Sequence, residues 1–238
     1  MTGASARSLW VLAAGLALLA GCATLPPGEW RERTMRFSGE AWSVRGDPGV
    51  PRGPGPNFFG TGSGSVRVDR QGRLRLRLKR RGKGWVCAEV ASARAFGRGT
   101  FRWTISSISR DLPHGVVLGL FTWAGDAPPD HREADIEFLD EGVPEVLFSV
   151  QPAQEPGRSV AFSGRLSLKR STHLMRLRPD KVEFESGDGP EARHWASEVP
   201  VKEGPVRAVM NLWVREGAAI PEDAVVDVVF ESFAFEPE

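Results

Sequence analysis

The sequence predicts an all-β protein, built as a two-sheet antiparallel sandwich. Short runs of alternating apolar and polar residues, about a dozen of them, recur at close intervals with Gly, Pro and Asp between them. Beyond the N-terminal segment nothing sustains the 3.6-residue apolar period of a helix. No internal repeat, low-complexity tract, P-loop or dinucleotide fingerprint interrupts the pattern.

Residues 1–21 stand outside it. Arg7 is their only charge, and it precedes the apolar run from Leu9 to Leu19 and a few small residues, which reads as an export signal. The run is short for a membrane-spanning helix. Leu19-Ala20-Gly21-Cys22 resembles the bacterial lipobox, in which the Cys is lipidated and becomes the mature N-terminus. A plain cleaved signal with an incidental Cys is the other reading. On the first, the protein is a lipid-anchored lipoprotein of the bacterial cell envelope, on the outer membrane or cell surface. Residues 22–36 are then the lipidated Cys and a Pro-containing tether, and residues 37–238 the folded domain.

Lys and Arg number 31 against 30 Asp and Glu. Arg7 leaves with the signal, so the mature chain is formally neutral. It lacks the basic excess expected of a nucleic-acid binder. Cys87 has no cysteine to pair with if Cys22 is lipidated, and it sits in the alternating run from Trp85 to Val90 as a buried structural thiol. His114, His131, His173 and His194 are too scattered for metal-ligand spacing. The chain is expected to be monomeric.

Taken in order, Gly46 to Gly64 is dense in Gly and Pro and predicts a long irregular loop. Ser65 to Asp69 and Arg73 to Lys79 follow as strands about a Gln71-Gly72 turn. In the second, Leu points inward and Arg outward, a solvated sheet face. Arg80 to Gly84 is a turn, and Trp85 to Val90 the returning strand. Phe96 to Ile105 is another strand, and Gly115 to Trp123 an apolar run suited to burial on both faces.

The run from Glu133 to Phe138 places carboxylates at i, i+2 and i+4. On a strand, Glu133, Asp135 and Glu137 share one face, with Ala134, Ile136 and Phe138 on the other. One reading is a solvated outer face. The other is a reaction centre, because neighbouring like charges repel and raise each other's pKa. Paired carboxyls suit retaining glycosidic hydrolysis, which needs a nucleophile and a general acid roughly 5 to 5.5 Å apart. Residues i and i+4 are about 13 Å apart along a straight strand. The two Glu side chains must therefore lean together across Asp135.

Glu133-Ala134-Asp135-Ile136-Glu137-Phe138 resembles the E-[ILV]-D-I-E-F strand of glycoside hydrolase family 16, the laminarinase and lichenase group. Further likenesses lie in Phe96-Gly97-Arg98-Gly99, in the hairpin from Thr172 to Phe184, and in Met210-Asn211-Leu212-Trp213. Together they run from about Phe37 to Phe235. The resemblance implies a concanavalin A-like jelly roll and endo-acting cleavage of β-1,3 or mixed-linkage β-glucan or a related polysaccharide. Glu133 is then the nucleophile, Glu137 the acid/base and Asp135 the residue between them. No cofactor is expected, although the resemblance allows a structural calcium ion.

Sugars stack on aromatic faces, and with 8 Trp and no Tyr the stacking falls to Trp. Trp123 and Trp213 are the candidates, each readable also as core. Asn57, with Phe58 or Phe59, is expected to border the cleft or else to pack within its loop. His131 stands where the lichenases have a Trp and shares a face with Glu133, within reach of sugar or of that carboxylate. In the late hairpin, Met175 and Arg178 replace a family Tyr and Trp, so Arg178 is expected to make a more polar subsite. Fewer stacking surfaces leave an alternative: a non-catalytic sandwich that binds glycan or another envelope component.

Overall fold

Leu74, Leu76 and Leu78 are fully buried while Arg73, Arg75, Arg77 and Lys79 point outward, so the alternation read from the sequence is the register of the folded strand. The same alternation repeated along the chain produces sixteen strands and one short 3-10 turn, Gly189–Glu191, among the described residues. The computed structural model describes residues 33–46, 51–82, 84–108, 111–125, 132–140, 142–164 and 170–238.

In chain order the strands are β1 (Arg33–Phe37), β2 (Glu40–Val44), β3 (Phe58–Phe59), β4 (Val66–Val68), β5 (Leu74–Arg81), β6 (Gly84–Ser92), β7 (Gly99–Ile108) and β8 (Val116–Trp123). They continue as β9 (Ala134–Asp140), β10 (Pro144–Val150), β11 (Ser159–Ser163), β12 (Ser171–Leu177), β13 (Val182–Ser186), β14 (Arg193–Ser197), β15 (Arg207–Val214) and β16 (Val225–Pro237). The front sheet runs β11-β10-β9-β8-β15-β6-β2-β1, and the back sheet runs β14-β13-β12-β7-β16-β5-β4. Strand β6 belongs to both: its first residues pair with β5, and Ala88 to Ser92 pair with β15 and β2. All these pairings are antiparallel except β3 with β6.

Between the sheets lies an aromatic core. Phe148 of β10, Phe184 of β13 and Trp195 of β14 stack in sequence, with ring centroids 5.2 and 5.6 Å apart. Trp42, Trp103 and Phe233 make a second cluster. Such offset and edge-on contacts add to the burial of large apolar surfaces.

Three expectations about the frame need correction. Residues 33–36, expected in the tether, belong to β1, which pairs with β2 along its whole length because Met35 and Phe37 turn into the core. The loop before β4 contains β3, laid beside β6. Finally, β8 is not buried on both faces throughout, since Phe121 and Trp123 are half-exposed on its front.

Candidate active site on the front sheet

The site begins with how β9 is started. Arg132 has φ 51°, a left-handed conformation uncommon for a side-chain-bearing residue, and it turns the chain into the strand. The buried hydroxyl of Thr122 donates to Arg132 O at 3.0 Å and accepts from Ala134 N–H at 3.1 Å. Gln151 N–H donates to Glu133 O at 3.0 Å. Glu133 is thus held by its backbone between β8 and the end of β10.

From there the period of two does what the sequence predicts. Ala134, Ile136 and Phe138 enter the core, and Glu133, Asp135 and Glu137 face outward from the front sheet. Asp135 lies opposite Ser149 on one side and Phe121 on the other. Glu137 lies opposite Leu147 and Gly119, and Gly119 lies opposite Asn211.

Asp135 is buried, and its Oδ2 accepts from Ser149 Oγ at 2.7 Å and Gln151 Nε2 at 3.0 Å. Burial raises its pKa, and these two bonds with a third from Glu133 pull it back. Glu133 has no such support. Burial, the charge of Asp135 and a hydrogen bond donated to Asp135 hold its carboxyl well above the ordinary range, with Glu137 and Glu89 adding to the effect. Burial and Asp135 push Glu137 up to about 8, against the opposing pull of Arg215. Glu137 therefore holds its proton at neutral pH, and of the three carboxylates Asp135 has the most hydrogen-bond support as an anion.

The sequence reading missed several residues of this face. Glu89 of β6 is a fourth carboxylate, in register with Asn211, which donates to it at 3.2 Å. Arg45 pairs with Glu89 at 3.3 Å. The lone charge in the apolar stretch Val86 to Val90 was the available signal for Glu89. Phe121 and Arg215 were legible only once β8 and β15 were in register with β9. A Cβ at Gly119 would meet Asn211 Oδ1 at 2.5 Å, so any side chain there would have to displace the Asn211 amide.

The predicted site residues distribute unevenly. Trp123 and Trp213 are both half-exposed on the carboxylate side of β8 and β15, Trp123 edge-on to Phe121 with centroids 6.5 Å apart. Asn57 is buried, its amide donating to Pro54 O and Val214 O and accepting from Cys87 Sγ, so it fastens its loop to the sheet instead of lining open cleft. Burial pushes the Cys87 thiol up to about 12, which suits a structural role. Arg178 is a correction: it follows β12 in the back sheet and pairs with Glu238 at 3.0 Å and Glu183 at 3.6 Å. With β12 hydrogen-bonded to β7 and β13, it belongs to a different sheet from the carboxylates. His131 and Cys22 lie outside the described residues. Among the described residues no group of three or more His, Cys, Asp or Glu side chains is arranged to hold a metal ion.

No protein-family model and no curated protein matches the chain. Solved structures do. The β-glucanase of Bacillus licheniformis superposes with a TM-score of 0.67 at 18% identity, covering 83% of this chain and 92% of that one. A family 16 enzyme of a Bacteroides ovatus mixed-linkage glucan locus, solved in complex with product, gives 0.62 at 11% identity over 82% and 94%. An immunostimulatory antigen and pseudo β-1,3-glucanase of Mycobacterium tuberculosis gives 0.60 at 16% over 79% and 88%. At these identities the likeness is one of fold. The chain has the jelly-roll sandwich of the family 16 β-glucanases.

Proposed function

We propose that the protein is a retaining glycoside hydrolase acting on β-1,3 or mixed-linkage β-glucan or a related polysaccharide, with Glu133 as nucleophile and Glu137 as acid/base. The observation that carries this is the coupled carboxyl row: two Glu side chains of raised pKa flank a better-stabilised Asp, on the open part of a sheet whose fold is shared with β-glucanases. Two carboxyls pushed to different protonation behaviour are what acid and nucleophile roles need.

In this scheme Glu137 keeps its proton at neutral pH and delivers it to the leaving oxygen. Glu133 must be ionised to attack the anomeric carbon. Its hydrogen bond to Asp135 provides the route: as the carboxylate attacks, the proton passes to Asp135, against the pull of Ser149 and Gln151, which favour the Asp135 anion. A covalent glycosyl-enzyme forms, and Glu137, now ionised, activates the water that releases it. Trp123, Phe121 and Trp213 offer the apolar faces for sugar.

The reading extends to an envelope lipoprotein, monomeric and tethered through Cys22. Replacing Cys22 with Ser and fractionating cells tests that part: the variant should leave the membrane fraction, and unchanged membrane association would overturn it. The catalytic part is tested by release of reducing sugar from mixed-linkage and β-1,3-glucans by the purified protein. The sparse aromatic lining favours a second reading, a sandwich that binds glycan without cleaving it. Binding without sugar release would select it.

A further inference from the structure

Charge is unevenly spread over the outer face of the back sheet. Its β4–β5 edge carries Arg67, Arg73, Arg75, Arg77, Lys79 and Arg81, on the side that Leu74, Leu76 and Leu78 turn away from. Two carboxylates share that edge. Asp69 pairs with Arg73 at 2.9 Å and with Arg75 at 3.1 Å, and Asp227 pairs with Arg77, its neighbour across the ladder. Arg67, Lys79 and Arg81 have no carboxylate partner among the described residues. Arg67 lies directly opposite Arg75, and such a like-charge pair is destabilising until an anion lies over it. Val225, an exposed apolar side chain, stands opposite Lys79 in the same edge. Toward β14 the charges are matched instead: Arg176 pairs with Glu185, and Arg178 with Glu183 and Glu238.

The chain enters the fold at this same edge. Arg33, the first residue of β1, donates to Val66 O of β4 at 2.9 Å and to Thr61 O at 2.7 Å, so β1 begins beside β4. Residues 22–32, the lipidated Cys and tether of the lipoprotein reading, join the domain there. Eleven residues reach at most about 40 Å. A lipid on Cys22 would hold β4 and β5 within that distance of a membrane. The carboxylate row of β9 lies on the opposite outer face of the sandwich.

We infer that the β4–β5 edge of the back sheet docks on an anionic membrane surface, with Arg67, Lys79 and Arg81 set against lipid phosphates and Val225 among them. The inference takes its location from the lipoprotein reading and is independent of the glycan reading. Each basic side chain at an anionic leaflet strengthens binding about fivefold, so these three together supply on the order of 100-fold. A soluble polyanion would meet the same charges, but entry of the tether at this edge favours the surface to which the tether leads. Docking in this sense turns the carboxylate row away from the membrane, where a polysaccharide has access to it.

The test is sedimentation of residues 22–238 carrying Cys22→Ser with vesicles of phosphatidylcholine, either alone or with about a third phosphatidylglycerol. Neither a lipid nor the apolar leader then contributes, and residues 33–238 supply the whole described fold. Binding to the anionic vesicles should exceed binding to the neutral ones at least about tenfold at low ionic strength, and the difference should vanish near about 0.5 M salt. Arg67→Gln/Lys79→Gln/Arg81→Gln should lose the preference. Arg98→Gln/Arg176→Gln/Arg193→Gln, an equal loss of charge elsewhere, should keep it. Equal binding of the parent to both kinds of vesicle, or equal loss in the two triple variants, would overturn the inference. A parent that ignores anionic vesicles but binds a soluble acidic polysaccharide through Arg67, Lys79 and Arg81 would assign the edge to a glycan and overturn the membrane docking. None of these outcomes touches the reading of the front sheet, which sugar release tests separately.

Discussion

Two polar clusters lie on opposite faces of β9, one fully buried and one in which only Asp135 is buried. On the core side, His173 is fully buried with both ring nitrogens engaged, Nε2 with Ser171 Oγ at 2.9 Å and Nδ1 with Ser186 Oγ at 2.8 Å. Its ring meets Phe138 edge-on, with centroids 4.9 Å apart. Burial lowers its pKa to about 3, so it is neutral and satisfied. On the outer side, Glu133, Asp135 and Glu137 crowd like charges onto one strand face with donors enough for one of them. The first cluster costs the fold little and cements the sheets. The second costs stability, and that cost is intelligible if the carboxyls react.

The largest effect should come from breaking the outer cluster chemically. Glu133→Ala or Glu137→Ala, assayed on unactivated β-glucan, should lose on the order of 10⁴-fold or more in kcat, with little change in thermal stability. His173→Ala should do the opposite. It leaves two buried serine hydroxyls unpaired and a cavity beside Phe138, costing roughly 3 kcal/mol, or about 10 °C in Tm for a domain of this size, while the residual folded protein keeps its kcat.

Titration separates the two clusters again. Glu137 is raised from 4.5 to about 8 in the folded state, so between those values the native protein keeps a proton the unfolded chain has lost. Its contribution to stability is present at low pH and is lost as pH rises through about 8. Glu137→Gln should therefore be more stable than the parent at pH 9, on the order of 2 kcal/mol by urea denaturation. His173 is lowered from 6.5 to about 3, so its contribution is present above 6.5 and is lost as pH falls toward 3. His173→Gln should flatten the acid limb of the stability profile and leave the alkaline limb alone. The smallest effect should be that of Ser149→Ala. Asp135 loses one of two donors to Oδ2, so its pKa rises further, and the acid limb of kcat/KM should move upward by less than one pH unit. An unmoved limb would mean that Asp135 does not share the proton of Glu133.

The difference between the clusters also explains what the sequence could reveal. A period of two writes the carboxylate row and its apolar back directly into the chain, so β9 and its carboxylate face were legible. So were the Leu–Arg alternation of β5 and the Asn211–Trp213 segment. Ser171, His173 and Ser186 were not, because their partnership depends on β12 and β13 pairing in one register. Glu89 and Arg45 meet because the end of β2 runs beside β6, with Arg45 N–H donating to Glu89 O at 3.0 Å. Arg178 shows the reverse: the hairpin of β12 and β13 forms, but no local pattern says which of two sheets a hairpin joins.

The central claim is that Glu133 is the residue that bonds to sugar, and chemical rescue tests it most directly. In Glu133→Ala the space left by the carboxylate admits azide, and Glu137 remains to assist departure. With an activated β-glucoside, added azide should restore turnover and give the α-glycosyl azide. In Glu137→Ala, azide should instead intercept the glycosyl-enzyme and give the β product. Exchange of the two products would invert the roles assigned here. Full activity of Glu133→Ala without azide would show that the carboxylate row is not a catalytic site.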